Sequence, residues 1–172
     1  MIPAPKSLRL IAAACFLAGT TQAASADQLP IPAGEIILTV SGNIENTNAG
    51  DTAQFDREML DALGLVDITT ATPWYDGVVT FSGVPVANLL ELVAAEGETI
   101  TALALNDYEV KIPVSDAWDT GVILATRLNG EEMTVRNKGP IFVIYPYDSD
   151  DDLKSQTYYA RSAWQVNRLI IR

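Results

Sequence analysis

The side chains best suited to recognise a ligand are those of Trp74 and Tyr75, which closely follow Thr70 and Thr72 in the sequence. The indole of Trp74 offers a flat, apolar face on which an aromatic ligand can stack. A tryptophan between two strands can equally be a plug at the end of the core, which is the commoner role of a single large aromatic residue. The sequence leaves both interpretations open.

A second stretch of candidate residues surrounds the apolar run from Ile141 to Tyr145. Such a run is typical of a strand that is buried on both faces, and we expect it to be the central strand of the fold. Gly139-Pro140 and Pro146 bound it, because proline cannot donate to a sheet ladder. A core strand with solvated ends is the structural alternative to a ligand site. The polar and aromatic side chains that flank the run are Arg136, Asn137, Lys138, Tyr145, Tyr147 and Asp148.

Arg136, Lys138 and Arg161 stand out in a chain with 11 basic and 22 acidic residues and a formal net charge of −11. They could neutralise an anionic group of a ligand, or they could form exposed ion pairs, which contribute little to stability. The net charge disfavours nucleic acid and anionic membranes as partners, because both repel an acidic protein.

The aspartates at 148, 150 and 152 have the spacing of the first half of a calcium-binding loop. A glycine is missing from the sixth position of that loop, and its twelfth position is Tyr159 rather than glutamate. We therefore expect a solvated acidic loop.

The first 26 residues are typical of a secretory signal peptide. Lys6 and Arg9 form a basic start, residues 10–19 are largely apolar, and Ala24-Ser25-Ala26 is a small-x-small cleavage site. The apolar segment is too short to span a bilayer. We therefore expect a periplasmic protein whose folded domain covers residues 27–172 and which does not insert into the membrane after cleavage.

The sequence has no histidine, and its single cysteine, Cys15, lies in the predicted signal peptide. The exported part therefore has neither a thiolate nor an imidazole. This excludes cysteine nucleophiles, Ser-His-Asp triads and zinc sites built from cysteine and histidine. We expect no catalytic residue and no metal ligand.

Hydrophobic periodicity and turn residues predict a mixed α+β domain with many short strands and two or three helices. Hairpin turns are predicted at Asn106-Asp107 and Asn129-Gly130, and a turn at Asp76-Gly77. Ser115 is predicted to cap a short helical turn. The expected strands are 35–41, 66–72, 78–81, 100–105, 108–112, 122–128, 141–145 and 169–171, and the expected helices are 55–63 and one that Pro85 opens and Gly97 closes.

Five segments of the sequence follow, in order, the pattern of a known family. They are Val79–Leu90 with Gly83-Val84-Pro85, Asn106-Asp107-Tyr108 with Ile112-Pro113, Leu124-Ala125 with Asn129-Gly130-Glu131, Lys138–Pro146, and Trp164–Leu169. Together they resemble the sulfite oxidase-type molybdopterin-binding domain of oxidoreductases. The likeness covers residues 36–171 and implies a single α+β domain with a mixed sheet.

The sequence departs from that family at the metal-binding position and in its phosphate-binding groups. Short members carry a molybdenum-binding cysteine four residues before a tryptophan, and here that position, four before Trp74, is Thr70. A hydroxyl group does not replace a soft thiolate as a ligand. The family's pocket also holds a phosphate with basic groups and, commonly, a histidine, whereas this chain has few arginines and no histidine. The chain therefore resembles a short exported subgroup that lacks the molybdenum-ligating cysteine.

This resemblance implies a non-catalytic binding or sensing protein for a pterin or a similar flat ligand. Some exported relatives without the cysteine act on membrane cyclic-di-GMP enzymes, so a membrane signalling partner is expected. Trp74 would stack on the ring, and Asp107 or Asp148 would accept the two N–H groups of its aminopyrimidine edge. The candidate ligand-binding residues are Thr70, Thr72, Trp74, Tyr75, Asp107, Arg136, Lys138, Tyr147 and Arg161.

Two further functions stay open. One is a molybdopterin-dependent oxidoreductase that holds molybdenum only through the dithiolene of the pterin and works with a redox subunit. The other is a structural interaction module whose acidic face docks on the outer domain of a membrane receptor.

Overall fold

The computed structural model describes residues 29–172, so the predicted signal peptide lies outside the described residues. Within that range the chain forms ten strands, four short α-helices and three 3-10 turns. None of these helices combines the length and the apolar character that crossing a bilayer demands. The strands are β1 Leu38–Gly42, β2 Ala53–Phe55, β3 Val66–Thr72, β4 Tyr75–Pro85, β5 Thr99–Ala104, β6 Glu109–Pro113, β7 Ile123–Leu128, β8 Glu131–Glu132, β9 Phe142–Ile144 and β10 Val166–Ile171.

The helices are short and connect the strands at the ends of the sheets. They are α1 Arg57–Asp61, α2 Val86–Leu92, α3 Ser115–Asp119 and α4 Gln156–Arg161. The 3-10 turns are Val135–Asn137, Tyr147–Ser149 and Asp151–Leu153.

Two sheets form the fold, and the expected α+β class is confirmed. The first sheet has the order β2-β1-β10-β5-β6, in which β1 and β10 are parallel and the other neighbours are antiparallel. The second sheet has the order β3-β4-β7-β8, and β9 also pairs with β7. The last strand of the chain, β10, therefore lies in the middle of the first sheet, between β1 and β5.

Two hydrophobic cores result from this arrangement. The larger core contains residues of both sheets and of the helices, and the smaller one lies against the second sheet. Alternate residues of β7 serve different cores, because successive side chains of a strand point to opposite faces. Leu124 packs in the larger core, whereas Ile123 and Ala125 pack in the smaller one.

The structure confirms several local predictions. The span 66–72 is a strand with the expected bounds. Asp107 in the β5–β6 turn has a φ of 63°, and Asn129 and Gly130 have φ values of 50° and 84°, as tight hairpin turns require.

The apolar run around Phe142 is buried, as expected, but it is not a central strand. The strand that β9 pairs with is β7, through Ile123↔Ile144, Leu124↔Val143 and Ala125↔Phe142, and a single antiparallel bridge joins Phe142 to Trp164 on the other edge. The chain just before β10 covers its other side, where the N–H of Val143 donates to the carbonyl of Ala163 at 2.9 Å. The returning segment thus covers the second edge of β9, whereas its two faces are buried in the two cores, since Val143 packs in the larger core and Phe142 and Ile144 pack in the smaller one.

Several predicted boundaries were wrong for local reasons. Phe55 ends β2, and the helix begins only at Arg57, since Asp56 caps it by accepting from the N–H of Met59 at 2.9 Å. Pro85 is the last residue of β4, and the helix that follows ends at Leu92, before Gly97.

Two other local expectations also fail. Ser115 is the first helical residue of α3, and Val114 takes the cap position without a side-chain hydrogen bond. Pro73 and Trp74 make the turn between β3 and β4, whereas Asp76-Gly77 lies within β4 beside a shift of register. Helix α4 was not expected at all.

We predict that Gly83→Ala lowers the free energy of unfolding by about 1–3 kcal/mol, the usual range for overpacking a core. Gly83 faces β7, and an added Cβ would overlap the carbonyl oxygen of Leu124. Gly34→Ala is the matched control, because its Cβ would meet the carboxyl of Asp56 only at 3.4 Å. Urea unfolding of both variants measures the difference, and equal stabilities would contradict the close approach of the two strands.

Candidate functional site

A cleft of about 460 Å³ lies where the β3–β4 turn, the β5–β6 turn and helix α4 meet. Four of its lining residues are aromatic: Trp74, Tyr108, Tyr159 and Trp164. The remaining residues of the lining are Pro73, Asn106, Gln156, Ala160 and Ser162. A mostly apolar concave surface with a few polar groups is typical of a small-molecule site.

Trp74 is the residue that connects this cleft to the interior. Its ring packs against both hydrophobic cores. It lies 5.1 Å from Phe142 and 6.2 Å from Tyr147 between ring centroids, and it also lines the cleft. Trp74 therefore closes the core, as one of the two sequence interpretations expects, and it also forms a wall of the cleft, while its stacking on a ligand stays a prediction.

The walls of the cleft are steeply inclined to one another. The ring of Trp164 lies 6.2 Å from Trp74 with an interplanar angle of 69°. The ring of Tyr159 lies 6.0 Å from Trp74 with an angle of 86°. These rings form a corner, so a flat ligand can lie parallel to one of them and meets the others with its edges.

Thr70, four residues before Trp74, is fully buried beneath the turn. Its hydroxyl donates to Asp148 Oδ2 at 3.2 Å and accepts from the backbone N–H of Asp148 at 3.1 Å. The same carboxylate accepts from the N–H of Ala71 at 2.7 Å. Thr70 is therefore committed to fixing the end of β3, and it does not line the cleft.

Asp148 is held in its charged form by these contacts. The N–H of Ala71 keeps the pKa of Asp148 below its usual value of 3.8, and Lys154 and Thr70 act in the same direction against partial desolvation. Lys154 lies 3.3 Å from Asp148 and 3.1 Å from Asp151. Within residues 29–172, no group of three or more acidic side chains is placed to hold a metal ion.

Arg161 is turned away from the cleft by a buried carboxylate. Its Nη1 lies 2.9 Å from Asp116 Oδ2, and the hydroxyl of Tyr145 donates to the same oxygen at 2.7 Å. Burial, followed by the hydrogen bond to Asp116, raises the pKa of Tyr145. The guanidinium also lies 5.3 Å from the ring of Tyr158. This arrangement anchors α4, and it leaves Arg161 poorly placed to meet an anionic ligand.

Lys138 lies over the rings of Tyr75 and Trp164. Its Nζ is 5.3 Å from the ring of Tyr75 and 5.7 Å from the ring of Trp164. Tyr75 faces the smaller core, where it packs on Phe81, and burial raises the pKa of its hydroxyl. Arg136 is exposed on the neighbouring 3-10 turn. None of these three side chains lines the cleft.

The remaining candidates support the cleft without lining it. Tyr147 is fully buried, its hydroxyl is hydrogen-bonded to Ser162, and burial raises its pKa to about 12. Thr72 Oγ1 accepts from the N–H of Trp74 at 3.3 Å. Asp107 is exposed in the β5–β6 turn, between the lining residues Asn106 and Tyr108.

Of the nine candidates, the structure thus places Trp74 alone in the lining of the cleft. Asn106, Gln156, Tyr159 and Trp164 were not among them. Tyr159 and Trp164 are close together in the sequence. Helix α4, which carries Tyr159, has no periodic apolar pattern that would mark it as a helix. The β5–β6 turn signal could have pointed to Asn106.

Comparison with known proteins gives one family and one informative fold. The family model described as oxidoreductase molybdopterin binding domain matches residues 40–148. Among solved structures, the chain resembles the sulfane dehydrogenase SoxCD from Paracoccus pantotrophus, with a TM-score of 0.57 and 18% identity. The likeness covers 78% of this chain but only 37% of that one. No curated protein matches the sequence.

The residues present do not fit molybdopterin with its metal. The position of the family's thiolate is a fully buried hydroxyl that is already bonded to Asp148. Within the described part of the chain, the cleft lining has no lysine or arginine to meet a phosphate. A soft metal and a doubly charged anion would therefore both lack partners here.

We predict that Asp148→Asn lowers the melting temperature near neutral pH and that this difference shrinks as the pH falls. Because the pKa of Asp148 is lowered in the folded protein, its stabilisation is present above about pH 3.8 and is lost as the pH falls through the folded value. Thermal unfolding from neutral to acidic pH measures this. Asp152→Asn, an exposed position in the same loop, is the control. A difference between wild type and Asp148→Asn that does not change with pH would contradict the role of the charge.

Proposed function

The chain belongs to the oxidoreductase molybdopterin binding domain family, and from that premise we propose that it is a non-catalytic binding protein for a pterin or a similar flat ligand. The observation that carries the proposal is the aromatic cleft, which keeps Trp74 but has no thiolate and no cationic lining in residues 29–172. Such a cleft favours stacking and hydrogen bonding over metal binding.

The corner geometry suggests how a pterin would lie. Its ring would stack on one indole, and the other aromatic side chains would contact its edges, because Trp74 and Trp164 are 69° from parallel. The carboxamides of Asn106 and Gln156 line the same cleft. A carboxamide offers both donors and acceptors, and so it can pair with the aminopyrimidine edge in place of Asp107 or Asp148.

An uncharged pterin suits this cleft better than a phosphorylated one. Arg161, the cation nearest the lining in sequence, is neutralised by Asp116 at 2.9 Å. A phosphate group would have to give up water without gaining a charged partner, which costs free energy. We therefore expect plain pterins to bind more tightly than their phosphorylated forms.

We predict saturable quenching of tryptophan fluorescence when reduced or oxidised pterins are added to the purified protein. Trp74→Leu should weaken binding about tenfold, since stacking of a base on an aromatic side chain is worth about 1–3 kcal/mol. Trp118→Phe is the matched control, because Trp118 is 53% exposed on α3 and does not line the cleft.

Trp74 also packs in both cores, so its variant needs an independent check. Calorimetric titration of Trp164→Leu supplies one, since Trp164 lines the same cleft and is 39% exposed. Thermal unfolding verifies that each variant is folded. The absence of saturable binding with every pterin would contradict the proposed function.

The signalling role is a further part of this proposal. We propose that the protein is exported to the periplasm and that ligand binding is reported to a membrane partner. The signal-like first 26 residues and the missing nucleophiles support this.

Affinity capture from solubilised host membranes, with and without a pterin, tests the signalling role. Pterin-dependent retention of an integral-membrane enzyme that is lost in Trp74→Leu is the expected result. Equal capture by Trp74→Leu would favour a purely structural interaction module.

A further inference from the structure

We propose that the aromatic corner of the cleft binds compact organic cations of the quaternary ammonium type. The proposal uses the cleft of the proposed function but does not require pterin recognition. It rests on the inclination of the aromatic rings, on the placement of the nearby charges and on the kinds of polar group in the lining.

The aromatic walls of the cleft are inclined to one another and do not form a parallel slot. Trp164 and Tyr159 each lie about 6 Å from Trp74, at 69° and 86° to its plane. Tyr108 is the fourth ring of the lining. The attraction between a cation and aromatic rings is strongest when several ring faces lie within about 6 Å of the cation. Inclined rings can present faces from several directions, whereas a parallel pair presents faces from only two sides. Trp74 and its neighbours therefore offer a corner into which a small rounded cation fits.

The charges around the cleft favour a positive ligand. In the part of the chain that the structure describes, no lysine or arginine lines the cleft, and the nearby Arg161 is paired with Asp116. Asp107 is exposed between two lining residues, and the whole chain has a net charge of −11. A negative field of this kind raises the local concentration of cations.

Lys138 is a cation that lies close to one of the aromatic walls of the cleft. Its Nζ lies 5.7 Å from the ring of Trp164, outside the residues that line the cleft. This contact places one cation over the indole of Trp164. Lys138 also repels a second cation at short range, so its removal should increase the affinity for one.

The polar groups of the lining select the kind of cation. Asn106 and Gln156 are carboxamides, and the described lining has no carboxylate. A primary ammonium carries three N–H donors that water satisfies in solution, and the neutral acceptors of this mostly apolar lining replace only part of that hydration, which is costly for a charged group. A quaternary ammonium has no N–H group and loses little on entering an aromatic site. The cleft should therefore prefer methylated ammonium groups to free amines.

Calorimetric titration with choline and with its neutral isostere 3,3-dimethylbutan-1-ol tests this proposal on the wild-type protein. The two molecules have nearly the same shape, so a difference in affinity reports the charge. We expect choline to bind about tenfold more tightly than the isostere, and ethanolamine, its primary-amine analogue, to bind more weakly than choline. Equal affinities for choline and the isostere, or no binding of choline, would overturn the proposal.

Matched variants locate the site. Trp164→Leu should reduce the affinity for choline to that for the isostere, whereas Trp118→Leu should leave it unchanged. Lys138→Met should tighten choline binding. Choline binding that survives Trp164→Leu in full would overturn the assignment to this cleft.

The two proposals can fail independently. A protein that binds choline but no pterin would contradict the proposed function alone, and a protein that binds a pterin but no choline would contradict this inference alone.

Discussion

The packing of Trp74 at the tip of the β3–β4 hairpin is the interaction on which the rest of the site depends. A single indole touches both hydrophobic cores and still lines the cleft. Its position is fixed by a two-residue turn and by the carboxylate of Asp148, which accepts from the N–H of Ala71 at the end of β3. The cleft is thus built on a residue that the fold cannot easily move, which favours a preformed binding surface.

The same few residues explain why family membership does not decide the chemistry. Thr70 takes the position at which the resemblance expects a metal-binding thiolate, but its hydroxyl is buried and exchanges hydrogen bonds with Asp148. The position therefore stabilises the turn that carries Trp74 instead of reaching into the cleft. One fold can carry different functions, and the site rather than the fold distinguishes them.

The sequence was informative where local signals are strong. Alternating β-branched residues predicted β3, and Asn-Asp and Asn-Gly pairs predicted two hairpin turns, because backbone conformations with positive φ need such residues. It was uninformative where distant residues decide the outcome. Nothing near Arg161 in sequence reveals that Asp116, 45 residues away, turns it from the cleft. Helix α4 escaped detection because six residues without an apolar stripe give no helical period.

Metal and pterin analysis of the protein purified from its own host is the decisive measurement. We propose that the cleft recognises an organic ligand without a metal, because Thr70 stands at the position of the soft ligand and the described lining has no cation. We therefore expect molybdenum far below one atom per chain, together with a free pterin or another organic ligand in the extract. Molybdenum at one atom per chain would contradict it.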